Sequence, residues 1–337
     1  MMYSRICGTG SYLPKRSMSN QEWEQRVDTS SDWIMDRTGI RLRHIADQHE
    51  TSAFMGTEAA KKALEASGKS ANDIDMIIVA TGAPDKIFPS TACFIQKRLG
   101  ITHNCPAFDI QAACTGFIYA LSIADKFIKT GHAKCVLVVG TELMSRLINW
   151  SDRTTCVLFG DGAGCVLLEP SDKPGILSTY LYADGNQDEI LSVGNIQLAD
   201  HSGMIPDVEK TDNFNAPISD YYPYVKMDGK KVFKVAVTRL GELVEEIKAK
   251  HQLSEHDIDW LVPHQANIRI IKATAEKLGI SLDKVILTVE THSNTSSASI
   301  PLALDTAVRD GRIKPGQTLL FEAFGAGLTW GSALVKF

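Results

Sequence analysis

The same short landmarks occur twice in this chain of 337 residues, about 180 positions apart, and a repeat of that length suggests two similar units packed together. Asp73-Ile74-Asp75 precedes the apolar run Met76–Ala80, and Asp257-Ile258-Asp259 precedes Trp260–Pro263. Leu99-Gly100-Ile101 ends one amphipathic stretch and Leu278-Gly279-Ile280 another. Each is followed by a strand-like run, a polar turn, a helical pattern and a glycine, Gly131 in the first case and Gly311 in the second. The three intervals nearly agree. Runs rich in β-branched residues alternate with amphipathic stretches, which predicts an α/β fold. Chance reuse of such patterns is common in α/β proteins, and these landmarks alone leave that reading open. If the duplication holds, the join is the polar Pro170–Gly175 stretch, giving halves of 1–172 and 173–337. The cleft between two such halves is a preferred place for a site. Asp184–Lys231 has no counterpart; it is polar and turn-rich, and is expected to be a long loop or lid.

Charge narrows the function. With 35 Lys+Arg against 40 Asp+Glu the net charge is −5, which excludes a nucleic-acid binder working through a general basic surface. The 44% hydrophobic content supports a real core and excludes a disordered chain. Seven cysteines, an odd number with no CxxC pair, fit reduced thiols in the cytoplasm, and no metal site is expected. The N-terminus has no apolar stretch behind positive charges, and no window of about 20 residues is apolar throughout, so neither export nor membrane insertion is expected.

Three polar residues stand at strand-to-helix turns. Cys114 lies between the strand-like Ala107–Ile110 and the helical pattern Gly116–Thr130; amides at a helix N-terminus would stabilise its thiolate and lower the thiol pKa toward neutrality. His264 follows the strand-like run Ile258–Pro263 and precedes a helix, whose N-terminus would keep the ring neutral. Asn294 lies between the strand-like Val285–Val289 and an apolar helix. Taken singly, such residues are ordinarily structural: an inert core thiol, a surface histidine, a helix cap. The duplication changes this. Cys114 and Asn294 are separated by the same interval as Gly131 and Gly311, so each stands equally far ahead of its glycine. Their turns are then equivalent and face each other, and a Cys, a His and an Asn would converge. The tight turn Gly325-Ala326-Gly327 offers bare amides for an oxyanion. Gly160-Asp161-Gly162-Ala163-Gly164 lacks the ending of a phosphate loop, sits between strand-like runs and reads as close backbone packing.

Cys114 within AACTGF, His264 within VPHQAN, Asn294 within NTSSASIP, FGDGAG and the ending GSALVKF resemble the 3-oxoacyl-[acyl-carrier-protein] synthase III family, along nearly the whole chain from Ile6 to Phe337. The resemblance implies a thiolase-like fold, two pseudo-symmetric βαβαβαββ halves forming a five-layered αβαβα core. It implies an acyltransferase that starts type II fatty-acid synthesis by condensing an acyl-CoA primer, acetyl-CoA by expectation, with malonyl carrier protein. Coenzyme A thioester is then a substrate, no cofactor is needed, and a homodimer is expected. By the same resemblance Cys114 carries the acyl group, His264 and Asn294 stabilise the malonyl-derived enolate, and the amides of Cys114 and Ala326 form the oxyanion hole. Trp33, Arg37 and Arg153 would hold the adenine and phosphates of coenzyme A, Thr29 and Asn267 the pantetheine, and Phe88 part of the acyl pocket. Lys234, Arg269, Lys272 and Lys277 would be a local basic patch for the acidic carrier protein. Ala326 and Ser293 stand where the family often has glycine.

The residue types suit that chemistry. A thioester needs a soft nucleophile that also leaves well, and enolate charge needs neutral donors that do not attract the departing carboxylate. Three other readings stand beside it: a related enzyme of secondary metabolism with a longer primer or different acceptor, a non-catalytic thiolase-fold partner subunit, and a cysteine hydrolase. Retention of all three polar residues argues against the second, and the lack of an ordering acidic motif beside His264 against the third.

Overall fold

The computed structural model describes residues 2–194, 224–254 and 256–337. The first half runs β1 (Tyr3–Tyr12), α1 (Ser52–Ser67), β2 (Met76–Ala80), α2 (Thr91–Leu99), β3 (Ala107–Ile110), α3 (Gly116–Lys129), β4 (Val136–Leu143) and β5 (Asp161–Ser171). Its sheet has the order β1-β5-β4-β2-β3, with β2 parallel to β3 and β4 and β5 antiparallel to both neighbours. The second half runs β6 (Ile176–Ala183), α4 (Gly229–His251), β7 (Trp260–Pro263), α5 (Ile268–Leu278), α6 (Ser299–Arg309), β8 (Thr318–Gly325) and β9 (Thr329–Lys336), with sheet order β7-β8-β9-β6.

The duplicated landmarks do the same physical work in both halves. Asp73 accepts from the Ser70 amide at 2.7 Å and Asp257 from the Ser254 amide at 2.8 Å, closing equivalent turns ahead of β2 and β7. Asp75 accepts from the amide of Lys134 (2.7 Å) before β4, and Asp259 from that of Thr318 (2.7 Å) at the start of β8, so each aspartate pins its parallel strand pair. Gly100 and Gly279 end α2 and α5 at φ +71° and +78°, a left-handed conformation that glycine adopts without strain.

Helices α3 and α6 lie back to back between the two sheets. Phe117, Leu121 and Ile128 from one, and Ile300, Ala303 and Leu304 from the other, share one buried cluster with Ile78, Val138 and Val166 of the first sheet and Val262, Phe321 and Ala333 of the second. Helices α1 and α2 cover the outer face of the first sheet, and α4 and α5 that of the second. The result is a five-layered thiolase-like α/β fold. Residues 13–50 add a two-stranded antiparallel sheet, Ser17–Ser19 with Leu42–His44, and between its strands the helix Ser31–Thr38.

Two expectations need correcting. Gly160–Gly164 does not lie between strands; Asp161 onward is the start of β5, though close packing is the reason for its glycines, since a Cβ on Gly164 would sit 2.5 Å from the Leu302 amide nitrogen. Val285–Val289 is not a full strand: only Val285 bridges to Leu261, and Val289–His292 forms a helical turn. The cause is Gln265. Its buried side chain donates to the carbonyls of Pro263 (2.8 Å) and Ile286 (3.0 Å) and accepts from the amides of Thr288 (2.8 Å) and Val289 (3.0 Å), replacing the ladder. Gln265→Leu should therefore orphan several buried backbone groups, each at about 1–3 kcal/mol, and lower stability by at least ~3 kcal/mol in urea unfolding. A loss below about 1 kcal/mol would mean that these groups find other partners.

Candidate active site

The two halves meet around a cavity of about 1070 Å³, and Cys114, His264, Asn294 and Ala326 all line it. Cys114 arrives from the end of β3 in a single 3-10 turn, Ala113–Thr115, that runs into α3. The end of β8 presses on it: a Cβ on Gly325 would sit 2.7 Å from the Cys114 amide nitrogen, so only glycine lets the two backbones approach so closely. The expected low thiol pKa is not what the surroundings impose. Burial pushes the Cys114 thiol up to about 12; a hydrogen bond to Ser296 opposes this and the charge of Glu142 adds to it. The thiol stands two residues ahead of α3, half-buried in the cavity wall, where desolvation outweighs the helix end.

His264 is held at both ends. Its amide donates to the Glu322 carbonyl at 2.7 Å, and its Nδ1 lies 2.6 Å from Ser299 Oγ. Burial holds the ring down to about 3, so the imidazole is neutral, by desolvation rather than by a helix end. The Ser299 hydroxyl accepts from the Gln265 amide and has no other acceptor among the described residues than Nδ1. It therefore donates to Nδ1, and Nε2 carries the ring proton. Asn294 is fixed by its backbone, which accepts from the Gly160 amide (3.0 Å) and donates to the Leu158 carbonyl (3.1 Å). Its Oδ1 accepts from the Ser296 amide at 2.9 Å, leaving the Nδ2 hydrogens as the available donors. Ser293 keeps the glycine-like backbone, with φ +59°, and its hydroxyl bonds the His292 carbonyl.

Trp33, Arg37 and Asn267 also line the cavity. Asn267 joins the helix Ser31–Thr38 to α5, donating to the Arg37 carbonyl (3.0 Å) and accepting from the Arg269 amide (2.8 Å). Thr29 and Arg153 lie off the cavity wall, and Arg153 is bonded to the carbonyl of Asp28 at 2.7 Å. Phe88 departs furthest from expectation: it does not line this chain's own cavity but is 82% exposed, beside Ile87 at 68%. The segment carrying both turns their side chains away from the core. Lys234 on α4 and Arg269, Lys272 and Lys277 on α5 are exposed on two helices that pack together, with Arg269 also at the cavity and over the Phe233 ring. Of the long Asp184–Lys231 region, Leu191–Val193 pairs with Val225–Met227, and both contribute to the cavity wall; 195–223 lies outside the described residues. Among the described residues no His/Cys/Asp/Glu group could hold a metal ion.

Four lining or supporting groups had escaped sequence reasoning: Glu142, Glu322, Ser296 and Ser299. Glu322 is fully enclosed, neither carboxyl oxygen has a hydrogen-bond partner among the described residues, and burial pushes it up to about 8. Glu142 accepts from the Gly82 amide (3.0 Å) and from Ser297 Oγ (2.8 Å), and burial pushes it up to about 7. The signal was present in both cases, an acid inside an otherwise apolar strand, VLVVGTEL and LLFEAF.

Residues 108–185 match the family model of 3-oxoacyl-[acyl-carrier-protein] synthase III, and residues 249–337 that of its C-terminal part. The β-ketoacyl-[acyl-carrier-protein] synthase III of Thioalkalivibrio sulfidiphilus is 53% identical over 337 residues, covering 100% of both chains. That of Methylococcus capsulatus is 52% identical over 335 residues, 99% of each chain. The crystal structure of 3-oxoacyl-[acyl-carrier-protein] synthase III from Aquifex aeolicus superposes with a TM-score of 0.88 at 44% identity, covering 99% of this chain and 100% of that one.

Proposed function

The chain belongs to the 3-oxoacyl-[acyl-carrier-protein] synthase III family, and from that premise we propose how its cavity divides the work of the initiating condensation of fatty-acid synthesis. The enzyme is a condensing acyltransferase: an acyl-CoA primer and malonyl carrier protein give 3-oxoacyl carrier protein, CO₂ and free coenzyme A. Cys114 takes the acyl group, and its own amide with that of Ala326 stabilises the tetrahedral oxyanion. Malonyl carrier protein then enters. His264 Nε2–H and Asn294 Nδ2–H stabilise the thioester enolate as CO₂ departs, and the carbanion attacks acyl-Cys114. The observation that carries this division is a nucleophile on one half facing two neutral hydrogen-bond donors on the other. The secondary-metabolism alternative is not favoured by relatives at 52% and 53% identity.

Trp33, Arg37 and Asn267 suit the coenzyme A arm, with Arg153 and Thr29 at its outer end. Lys234, Arg269, Lys272 and Lys277 suit an acidic carrier protein docking over α4 and α5. A second copy of the chain would cover the exposed Ile87-Phe88 tip, which supports a homodimer and would place Phe88 beyond its own cavity. Seven free thiols suit a reducing cytoplasm. Incubation with malonyl carrier protein and acyl-CoAs of increasing length, with CO₂ and product measured, tests the reading; no product from any primer would overturn it. Lys234→Glu with Arg269→Glu should cut turnover of malonyl carrier protein about tenfold or more at low ionic strength while sparing malonyl-CoA, because the lost attraction is long-range and screened by salt. Equal losses on both donors would place the effect in the cavity instead.

A further inference from the structure

Two turns from different halves of the chain carry the Cys114 and Ala326 amides, and no covalent bond sets the distance between them. We propose that Thr115 and Thr329 staple these turns together and aim the two amides at one point, which makes both threonines positioning residues for acyl transfer. The proposal rests on the reading of those amides as the oxyanion donors.

The backbones of the two turns touch where Gly325 meets Cys114. Packing of that kind is non-directional, and one point of contact leaves the β8–β9 loop free to rotate over the Cys114 turn. Hydrogen bonds remove that freedom, because they have a preferred angle as well as a distance. Thr115 Oγ1 donates to the Thr329 carbonyl at 3.1 Å, and Thr329 Oγ1 lies 3.1 Å from the Ala112 carbonyl, so each side chain reaches the backbone of the other turn. The two hydroxyl oxygens are 3.2 Å apart. Thr329 Oγ1 is also 3.1 Å from the Ala326 carbonyl, so its one proton stands between acceptors on both turns. Among the described residues no other hydrogen bond crosses from residues 112–115 to residues 325–329. On its other side the loop is held by backbone alone, since Leu328 and Asp184 exchange two bonds of 2.8 Å. Ala326 therefore lies between that anchor and the threonine pair. Thr115 is fully buried, and its methyl packs at Gly331, where a Cβ would come within 3.4 Å of Thr115 Cγ2. A β-branched side chain so enclosed keeps one rotamer, which holds its hydroxyl on the Thr329 carbonyl.

Acyl transfer is sensitive to such aim. Charge appears on the primer oxygen only as Sγ attacks, and both donors must then lie about 2.7–3.1 Å from the place that oxygen takes up. A misplacement of about 1 Å in a group of this kind costs on the order of 10²-fold in rate. Substrate binding does not depend on it, because the coenzyme A arm lies elsewhere in the cavity. Neither amide serves the enolate, which His264 and Asn294 stabilise. Loosening the two turns should therefore slow acyl uptake and spare decarboxylation.

Two measurements on the same variants test the staple: single-turnover acyl uptake onto Cys114 by mass spectrometry, and CO₂ release from malonyl carrier protein by enzyme acylated beforehand. Thr115→Val and Thr329→Val keep the side-chain shape and lose the hydroxyl. Each should slow uptake at saturating acyl-CoA by about 10- to 100-fold with the KM for acyl-CoA unchanged, while CO₂ release stays within about threefold of wild type. The double valine variant should be no slower than the worse single one, because the two hydroxyls act as a unit. Thr329→Ser keeps the hydroxyl and should hold uptake within about threefold of wild type. A merely structural pair would lower uptake and CO₂ release together. Uptake within about twofold of wild type in either folded valine variant, or equal losses in uptake and CO₂ release, overturns the staple. Ala326→Pro deletes one donor outright and tests the underlying reading by itself. Undiminished uptake in folded Ala326→Pro overturns the oxyanion assignment, whereas loss there with none in the valine variants overturns the staple alone.

Discussion

Cys114→Ser should abolish condensation, with a loss on the order of 10³-fold or more, while the protein stays folded. Serine fits the same turn, since the site is set by the approach of Gly325 and the 3-10 turn rather than by sulfur. The chemistry does not transfer. In the wild type burial already pushes the thiol up to about 12, and a hydroxyl at the same place in the cavity wall is a far weaker acid still. Any ester that formed would then resist attack by the enolate, because an alkoxide leaves less readily than a thiolate. Both half-reactions should fall together: no acyl adduct by mass spectrometry and no 3-oxoacyl product. Condensation surviving within about tenfold of wild type would mean that another group carries the acyl chain.

His264→Ala should separate those half-reactions. Acyl uptake from acyl-CoA onto Cys114 should persist, and CO₂ release from malonyl carrier protein should fall by on the order of 10²–10³, the usual effect of removing one oxyanion donor. The neutral ring explains the sign. Nε2–H stabilises the enolate without attracting the carboxylate that must leave, and a ring held at about 3 stays neutral throughout the working range. CO₂ release by pre-acylated wild-type enzyme should therefore show no inflection from His264 between about pH 5.5 and 8. The same burial has a stability cost in acid. The folded value lies below the unfolded one of about 6.5, so the neutral ring's contribution is full above that pH and is lost as pH falls toward about 3. Asn294→Ala should resemble His264→Ala, and the double variant should lose less than the two single losses combined. Failure of Cys114 to acylate in His264→Ala would make the histidine the base for the thiol, and would sink this division.

Much of the architecture was legible because it is periodic and local. Ser-x-x-Asp turns, left-handed glycines after α2 and α5, and apolar faces on α3 and α6 are set by residues close in sequence. Their recurrence in the same order marks two units. The same spacing paired Cys114 with Asn294, because equivalent turns in pseudo-symmetric units face one another. Val285–Val289 departs from its pattern for the complementary reason. That pattern is a strand's, but whether the segment pairs depends on Gln265, from the turn after β7, whose amide takes the ladder's hydrogen bonds.

By itself the sequence determined the α/β class, the twofold organisation, the family and the three polar residues at strand-to-helix turns. Only the tertiary structure decided their electrostatics and surroundings. It set Cys114 in the cavity wall, where desolvation raises the thiol instead of lowering it, made His264 neutral by burial, and turned Phe88 outward. It also brought Glu142 and Ser296 to the cavity that the nucleophile lines, from distant parts of the chain. The physical reason is that desolvation depends on everything packed around a group, and the close approach of Gly325 to Cys114, like the shared cavity with Glu142 and Ser296, is a proximity that no local pattern encodes.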